Sequence, residues 1–220
     1  MTALIISPGN NLQDEIDLLK DRARICLNGR VSRPHVLGIT SCQRGEGVTT
    51  VAANLAVALA QEGNNRVLLV DGNLAHPSLH KVFGTKEVPG IISSLGERYR
   101  YGGHWPVFPV GNGLRILLSG GRIDRPERIL RDPQFKGFIE YVKPKYQTII
   151  IDCPPVMGDR GSLILPSLCD SIILVVEAGK AKVEVAQRAK ALLEERGIDI
   201  LGVVLNKRKQ PIPGFIYRHI

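Results

Sequence analysis

Ser41-Cys42-Gln43-Arg44-Gly45-Glu46-Gly47-Val48-Thr49-Thr50 follows a β-rich run at Val36–Thr40 and opens a helical pattern from about Thr49 to Glu62. Glycines in such a turn let the backbone curl until successive N–H groups point inward, and the following helix adds its positive end. Strand, glycine-rich turn and helix in that order make an anion nest of the kind that cradles phosphates. Thr49 stands where a hydroxyl would hold Mg²⁺, and Thr50 where a second hydroxyl would meet a phosphate. An ordinary glycine-rich turn is the competing reading, because Val48 breaks the usual Gly-Lys-Ser/Thr core.

Outward from this stretch, short β-rich runs recur at Arg66–Asp71, Arg115–Leu118, Thr148–Asp152, Ser171–Glu177 and Ile200–Asn206. Helical patterns lie near Pro133–Val142 and Val183–Arg196. Strands apolar on both faces and separated by helices predict an α/β fold, a doubly wound, mainly parallel sheet with helices on both faces, as in P-loop NTPases. Residues 1–220 read as one such domain, because the apolar share of 44% runs along the chain without a linker-like break. Residues 1–35 read as an N-terminal helix and loop. Leu12, Ile16, Leu19, Ala23 and Cys26 recur at spacings of three and four, with Gly29 as a stop. Residues 84–114 read as an irregular excursion, marked by Pro89-Gly90, Gly102-Gly103, Pro106, Pro109 and Gly111. Its aromatics, Tyr99, Tyr101, Trp105 and Phe108, are either a partner-binding patch or packing against the sheet.

No apolar stretch approaches the roughly 20 residues of a membrane span, and Met1–Asn10 lacks the charged and apolar regions of an export signal, so a soluble, cytoplasmic protein is expected. Cys26, Cys42, Cys153 and Cys169 are too scattered for a disulfide framework or a zinc site, and buried reduced thiols are expected. The formal charge of +8 fits nucleic acid, an anionic membrane surface or nucleotide phosphates, and does not choose among them. Two of the runs end in carboxylates, Asp71 and Asp152, and capping the following turn is one role open to Asp152. Asn206 can end its strand through a local hydrogen bond. His76 and His80 are four apart, as two ligands on one helical face would be, but no third ligand is evident and surface placement is expected.

Taken as a set, these segments resemble the bacterial tyrosine-kinase ATPases of capsule and exopolysaccharide synthesis. Gly45-Glu46-Gly47-Val48-Thr49-Thr50 followed by Val51-Ala52-Ala53-Asn54-Leu55-Ala56 is similar to their Walker A loop and first helix. Val67 to Pro77, with Asp71-Gly72-Asn73-Leu74-Ala75-His76-Pro77, is similar to their second carboxylate motif, usually Asp-x-Asp-x-Arg-x-Pro. Ile149-Ile150-Ile151-Asp152-Cys153-Pro154-Pro155 is similar to their Walker B, and Ile200 to Lys207 to their closing strand, whose Asn reads adenine. Arg125–Pro133 resembles the segment before the Walker B strand. Septum-positioning and chromosome-partitioning ATPases share the fold more distantly.

The chain departs from that family at several points. Val48 occupies the place of the lysine that bridges the β- and γ-phosphates. A charge-assisted hydrogen bond is worth roughly 1.5–3 kcal/mol, so its loss should weaken nucleotide binding by one to two powers of ten unless another cation, such as Arg44, substitutes. Asn73 and Ala75 replace the second Asp and the Arg. The tail, Gly214–Ile220, carries Tyr217 alone where active members have a tyrosine run. Glu15 is followed at the ring-forming positions by Leu18 and Asp21 rather than arginines.

The resemblance therefore implies a degenerate tyrosine-kinase-like P-loop protein that regulates exopolysaccharide or capsule polymerisation and export. Its cofactor would be ATP or ADP with Mg²⁺, bound weakly or not at all. The nucleotide would contact Gly45, Glu46, Gly47, Val48, Thr49, Thr50 and Asn206, and the metal Thr49, Asp71 and Asp152, with Asp71 and Asp152 as the catalytic carboxylates. The implied partner is the cytoplasmic tail of a membrane chain-length or co-polymerase protein, which would hold the chain at the inner membrane; homo-oligomerisation is left open. Two alternatives stand beside it: an active Mg²⁺-ATP-dependent autokinase, and a partitioning-type ATPase that binds DNA, although nucleic acid is not the expected partner.

Overall fold

The computed structural model describes residues 3–5, 35–61, 66–86, 88–95, 105–158 and 161–207. Its strands are β1 (Ala3–Ile5), β2 (His35–Ser41), β3 (Val67–Asp71), β4 (Val107–Pro109), β5 (Leu114–Leu117), β6 (Thr148–Asp152), β7 (Ser171–Glu177) and β8 (Ile200–Asn206). They form one sheet in the order β1-β8-β7-β2-β6-β3-β5-β4, parallel throughout except where β4 runs antiparallel to β5. The helices are α1 (Val48–Ala60), α2 (Leu79–Val82), α3 (Ile91–Leu95), α4 (Pro126–Leu130), α5 (Pro133–Val142) and α6 (Val183–Glu194).

The strands lie between two apolar layers because their side chains alternate faces and both faces are covered. Leu37, Ile39, Leu69 and Ile150 pack with Val51, Leu55 and Leu59 of α1. Their neighbours Val36, Leu68, Val70, Ile149 and Ile151 pack with Phe135, Phe138 and Val142 of α5. On β7, Ile172 and Leu174 meet Ala189 and Leu193 of α6. In the β2–β7 register Ile39 faces Ile173, which packs with the α1 layer, so α6 covers the same side as α5. Helices on both faces make the sheet doubly wound, as expected. Crossing from β2 to β3 skips over β6, and the crevice at the carboxyl ends of β2, β3, β6, β7 and β8 is where such sheets bind ligands.

The described residues of the stretch 84–114 are more ordered than the sequence suggests. They contain α3 and β4, and β4 pairs with β5 at the sheet's edge. Three residues are too few for a periodicity, and Pro109, which cannot donate to a ladder, is tolerated because the strand is an edge. Trp105 stacks on Phe138 at a centroid distance of 4.2 Å, and Phe108 packs on the α1 layer. For these two aromatics packing is the role observed; Tyr99 and Tyr101 lie outside the described residues. So do the expected helix at 11–27, Cys26 and the tail with Tyr217. Cys42 and Cys153 are buried free thiols and Cys169 is half-buried. Among the described residues no helix is long and apolar enough to cross a membrane.

Candidate functional site

Between β2 and α1 the chain adopts left-handed backbone at Gly45 (φ 89°) and Gly47 (φ 95°), a region that glycine enters without steric cost. Gly47 is the N-cap of α1 and offers no side-chain cap, and no acidic residue stands in the first turn. The N–H groups and positive end of a 13-residue helix therefore open onto the loop without a carboxylate competing for them. Ser41 Oγ donates to Gln43 O at 2.7 Å and tightens the turn.

The Glu46 side chain turns into the fold, where it is 3% exposed. Its carboxylate accepts from Gln43 N at 2.8 Å and from Glu177 N at 3.3 Å. Glu46, counted from sequence among the nucleotide contacts, shapes the loop through its side chain. Asn206 makes the local strand-ending contact, Oδ1 accepting from Lys207 N at 2.9 Å, while its Nδ2 donates to the loop carbonyl Glu46 O at 2.8 Å. Lys207, which sequence reasoning passed over, extends Nζ to Gly45 O and to Glu177 Oε2. The partners are 162 residues apart, so nothing local signals the contact.

Asp71 and Asp152 end the neighbouring strands β3 and β6 in direct register, both fully buried. Leu79 N donates to Asp71 Oδ2 at 3.3 Å, whereas Asp71 Oδ1 and both oxygens of Asp152 have no hydrogen-bond partner among the described residues. Burial pushes the Asp71 carboxyl up to about 6, against the pull of the backbone N–H groups of Leu79, Ser78 and Asn73. Asp152 is pushed well above the usual carboxylate range, by burial first and then by the charge of Asp71. Thr49 Oγ1 lies 2.8 Å from Ser78 Oγ and close enough to Asp152 to favour its ionised form. Three orphaned carboxylate oxygens beside a hydroxyl fit a hard divalent cation such as Mg²⁺. Among the described residues no group of three or more His, Cys, Asp and Glu side chains forms, so phosphate and water oxygens would complete its shell. Ser78 is the member of this corner that the sequence did not announce.

The remaining sequence candidates are placed less centrally. Val48 packs partly buried against the α1 layer, and Thr50 is exposed. Arg44 is exposed and lies with Nη1 3.3 Å from His76 Nε2, reaching toward the turn after β3 rather than back along its own loop. His76 stands in that turn and His80 inside α2, so the two do not share a helix as their spacing suggested. Arg44, Asn73, Ala75 and His76 help line a cavity of about 200 Å³. Pro154 and Pro155 after β6 and Leu130 of α4 form its opposite side.

The ParA family model, described as NUBPL iron-transfer P-loop NTPase, matches residues 32–213. Tyrosine-protein kinase CpsD of Streptococcus agalactiae is 30% identical over 194 residues, covering 87% of this chain and 82% of that protein. Among solved structures, the chimerical protein CapA2B2 superposes with a TM-score of 0.84 at 25% identity, covering 96% of each chain. The cell division ATPase MinD of Pyrococcus furiosus superposes at 0.64 and 25% identity, covering 84% of this chain and 80% of its own.

Proposed function

Because this chain belongs to the bacterial tyrosine kinases within the ParA-type P-loop NTPases, we propose that it is a degenerate member of that group. It regulates exopolysaccharide or capsule polymerisation and export from the cytoplasmic side, with weak or lost ATP binding. The observation that carries this reading is a split at the start of α1. Val48 packs against the apolar layer where a phosphate-binding lysine would extend. One residue on, Thr49 still meets the corner shared by Ser78 and Asp152.

In this reading Gly45, Gly47 and the N-terminus of α1 receive the phosphates, and Thr50 adds a hydroxyl at the rim. Thr49, Asp71 and Asp152 hold Mg²⁺, directly or through water, and Asn206 stands at the side of the loop where the base would lie. Bound Mg²⁺ would supply charge neutralisation across the β- and γ-phosphates. Phosphoryl transfer needs a gripped γ-phosphate and an oriented acceptor. Val48 weakens the first, and Asn73 leaves the second carboxylate motif with Asp71 alone. The partner is the cytoplasmic tail of a membrane chain-length protein, a reading supported by family membership.

Isothermal titration with ADP and ATP, with and without Mg²⁺, and a phosphotyrosine incorporation assay test this together. The expected result is weak, Mg²⁺-dependent binding and no incorporation above background. Robust incorporation that Asp152→Asn abolishes in a folded protein would overturn the degenerate reading in favour of an active autokinase.

A further inference from the structure

At the end of β8 the backbone turns left-handed at Lys207, with φ 58°. The turn sends the Lys207 side chain back across the glycine loop. Nζ donates to Gly45 O at 2.5 Å and to Glu177 Oε2 at 3.2 Å, and Cε lies 3.9 Å from where a Cβ on Gly47 would stand. Its neighbour Asn206 donates to the next loop carbonyl, Glu46 O, at 2.8 Å, and a Cβ on Gly47 would collide with that amide. The last residue of β8 and the one after it thus capture two consecutive carbonyls of the loop.

That capture has an electrostatic consequence on the opposite side of each peptide. In a planar trans peptide the carbonyl and the following N–H point in opposite directions. Holding Gly45 O and Glu46 O toward β8 therefore turns the N–H groups of Glu46 and Gly47 away from it. A donor on a carbonyl also polarises the N–H at the other end of the same peptide, more strongly when the donor is a cation. The side chain is about half exposed, so the charge stands at the mouth of the loop.

We propose that Lys207 is the cation of the phosphate loop: a positioning residue, contributed from just beyond the end of β8, whose charge takes over from the lysine that Val48 displaces in preparing the loop for a nucleoside di- or triphosphate. This rests on the nucleotide-binding reading above and names the residue that makes such binding tolerable. Glu177, which holds Lys207 from the other side, is its competitor for that charge. Arg44, whose guanidinium lies against His76, has no such contact with the loop carbonyls among the described residues.

The test is the affinity for Mg·ADP by isothermal titration in wild type, Lys207→Met, Lys207→Arg and the double variant Val48→Lys/Lys207→Met, with folding checked by circular dichroism. Lys207→Met is expected to weaken binding roughly tenfold to a hundredfold, the span of one charge-assisted hydrogen bond. Lys207→Arg should keep most of the affinity, and Val48→Lys should restore it in the Lys207→Met background, which a lysine that merely packs the loop would not allow. Unchanged affinity in Lys207→Met, or a loss that neither Arg nor Val48→Lys repairs, overturns the proposal while leaving nucleotide binding standing. Absence of Mg·ADP and Mg·ATP binding by the wild type would remove the nucleotide-binding reading itself, and this proposal with it.

Discussion

Asp71 and Asp152 stand opposite one another at the carboxyl ends of adjacent parallel strands, both wholly removed from solvent, with three of their four oxygens unpartnered among the described residues. Two buried carboxylates side by side raise the free energy of the folded chain whenever both are ionised. In the role proposed for the pair, a divalent cation would relieve that cost and so couple stability, pH and metal.

The coupling has a definite sign. Asp71 titrates near 3.8 when unperturbed and at about 6 in the fold, so between those values the folded chain holds a proton that the unfolded chain has lost. Its contribution to stability is present below about 3.8 and is lost as pH rises through about 6. Two units correspond to about 3 kcal/mol, or roughly 5–10 °C for a chain of this size. Asp71→Asn is therefore expected to raise the melting temperature of the metal-free protein at pH 8 and leave it nearly unchanged at pH 4. Equal shifts at both values would mean that the charge is not the source of the strain.

His35 works in the opposite direction. It is buried between β2 and β7, with Nε2 2.8 Å from Ser171 Oγ, and burial lowers its pKa below 6.5 against the pull of Asp170. The unfolded chain takes up this proton first, so stability falls as pH drops below about 6.5. His35→Gln should flatten the acid limb of the melting curve below pH 6.5. An unaltered limb would assign acid sensitivity elsewhere.

Mg²⁺ dependence tests the Thr49 corner. Thr49 Oγ1 meets Ser78 Oγ at 2.8 Å beside Asp152, so Thr49→Ala removes the hydroxyl proposed to hold Mg²⁺ while the apolar packing of α1 remains. Any Mg²⁺-dependent part of the nucleotide affinity should fall roughly tenfold, the worth of one charge-assisted bond. Calorimetry in which wild-type binding is indifferent to Mg²⁺ would show that the corner does not hold the metal.

Val48→Lys returns a cation to the start of α1. Nucleotide affinity is expected to rise by about one to two powers of ten. An unchanged dissociation constant in a folded variant would mean that a lysine at this position does not reach the phosphates.

Glu46→Ala strips a buried carboxylate from two backbone donors, Gln43 N and Glu177 N. Leaving them unpaired should cost about 2–5 kcal/mol in urea unfolding and abolish nucleotide binding, because the loop loses its inner support. Glu46→Gln, which keeps an acceptor oxygen, should lose less on both counts. A Glu46→Ala protein with wild-type stability would show that the loop holds its shape without it.

What the sequence determined by itself was the part whose causes are local. The strand–glycine turn–helix order around Gly45 and Gly47, and the apolar runs that alternate with helices, already pointed to a doubly wound parallel sheet with a glycine-rich loop at the carboxyl end of its first core strand. A short strand such as Val107–Pro109 leaves no periodicity to read, and α3 and β4 emerged only in the structure. The register that sets Asp71 against Asp152 and the meeting of Thr49 with Ser78 were likewise decided by tertiary packing. So were the inward turn of Glu46 and the return of Lys207 to a carbonyl 162 residues away. The reason is physical: hydrophobic periodicity and turn preference act over a few residues, whereas these contacts follow from the order in which eight strands stack side by side.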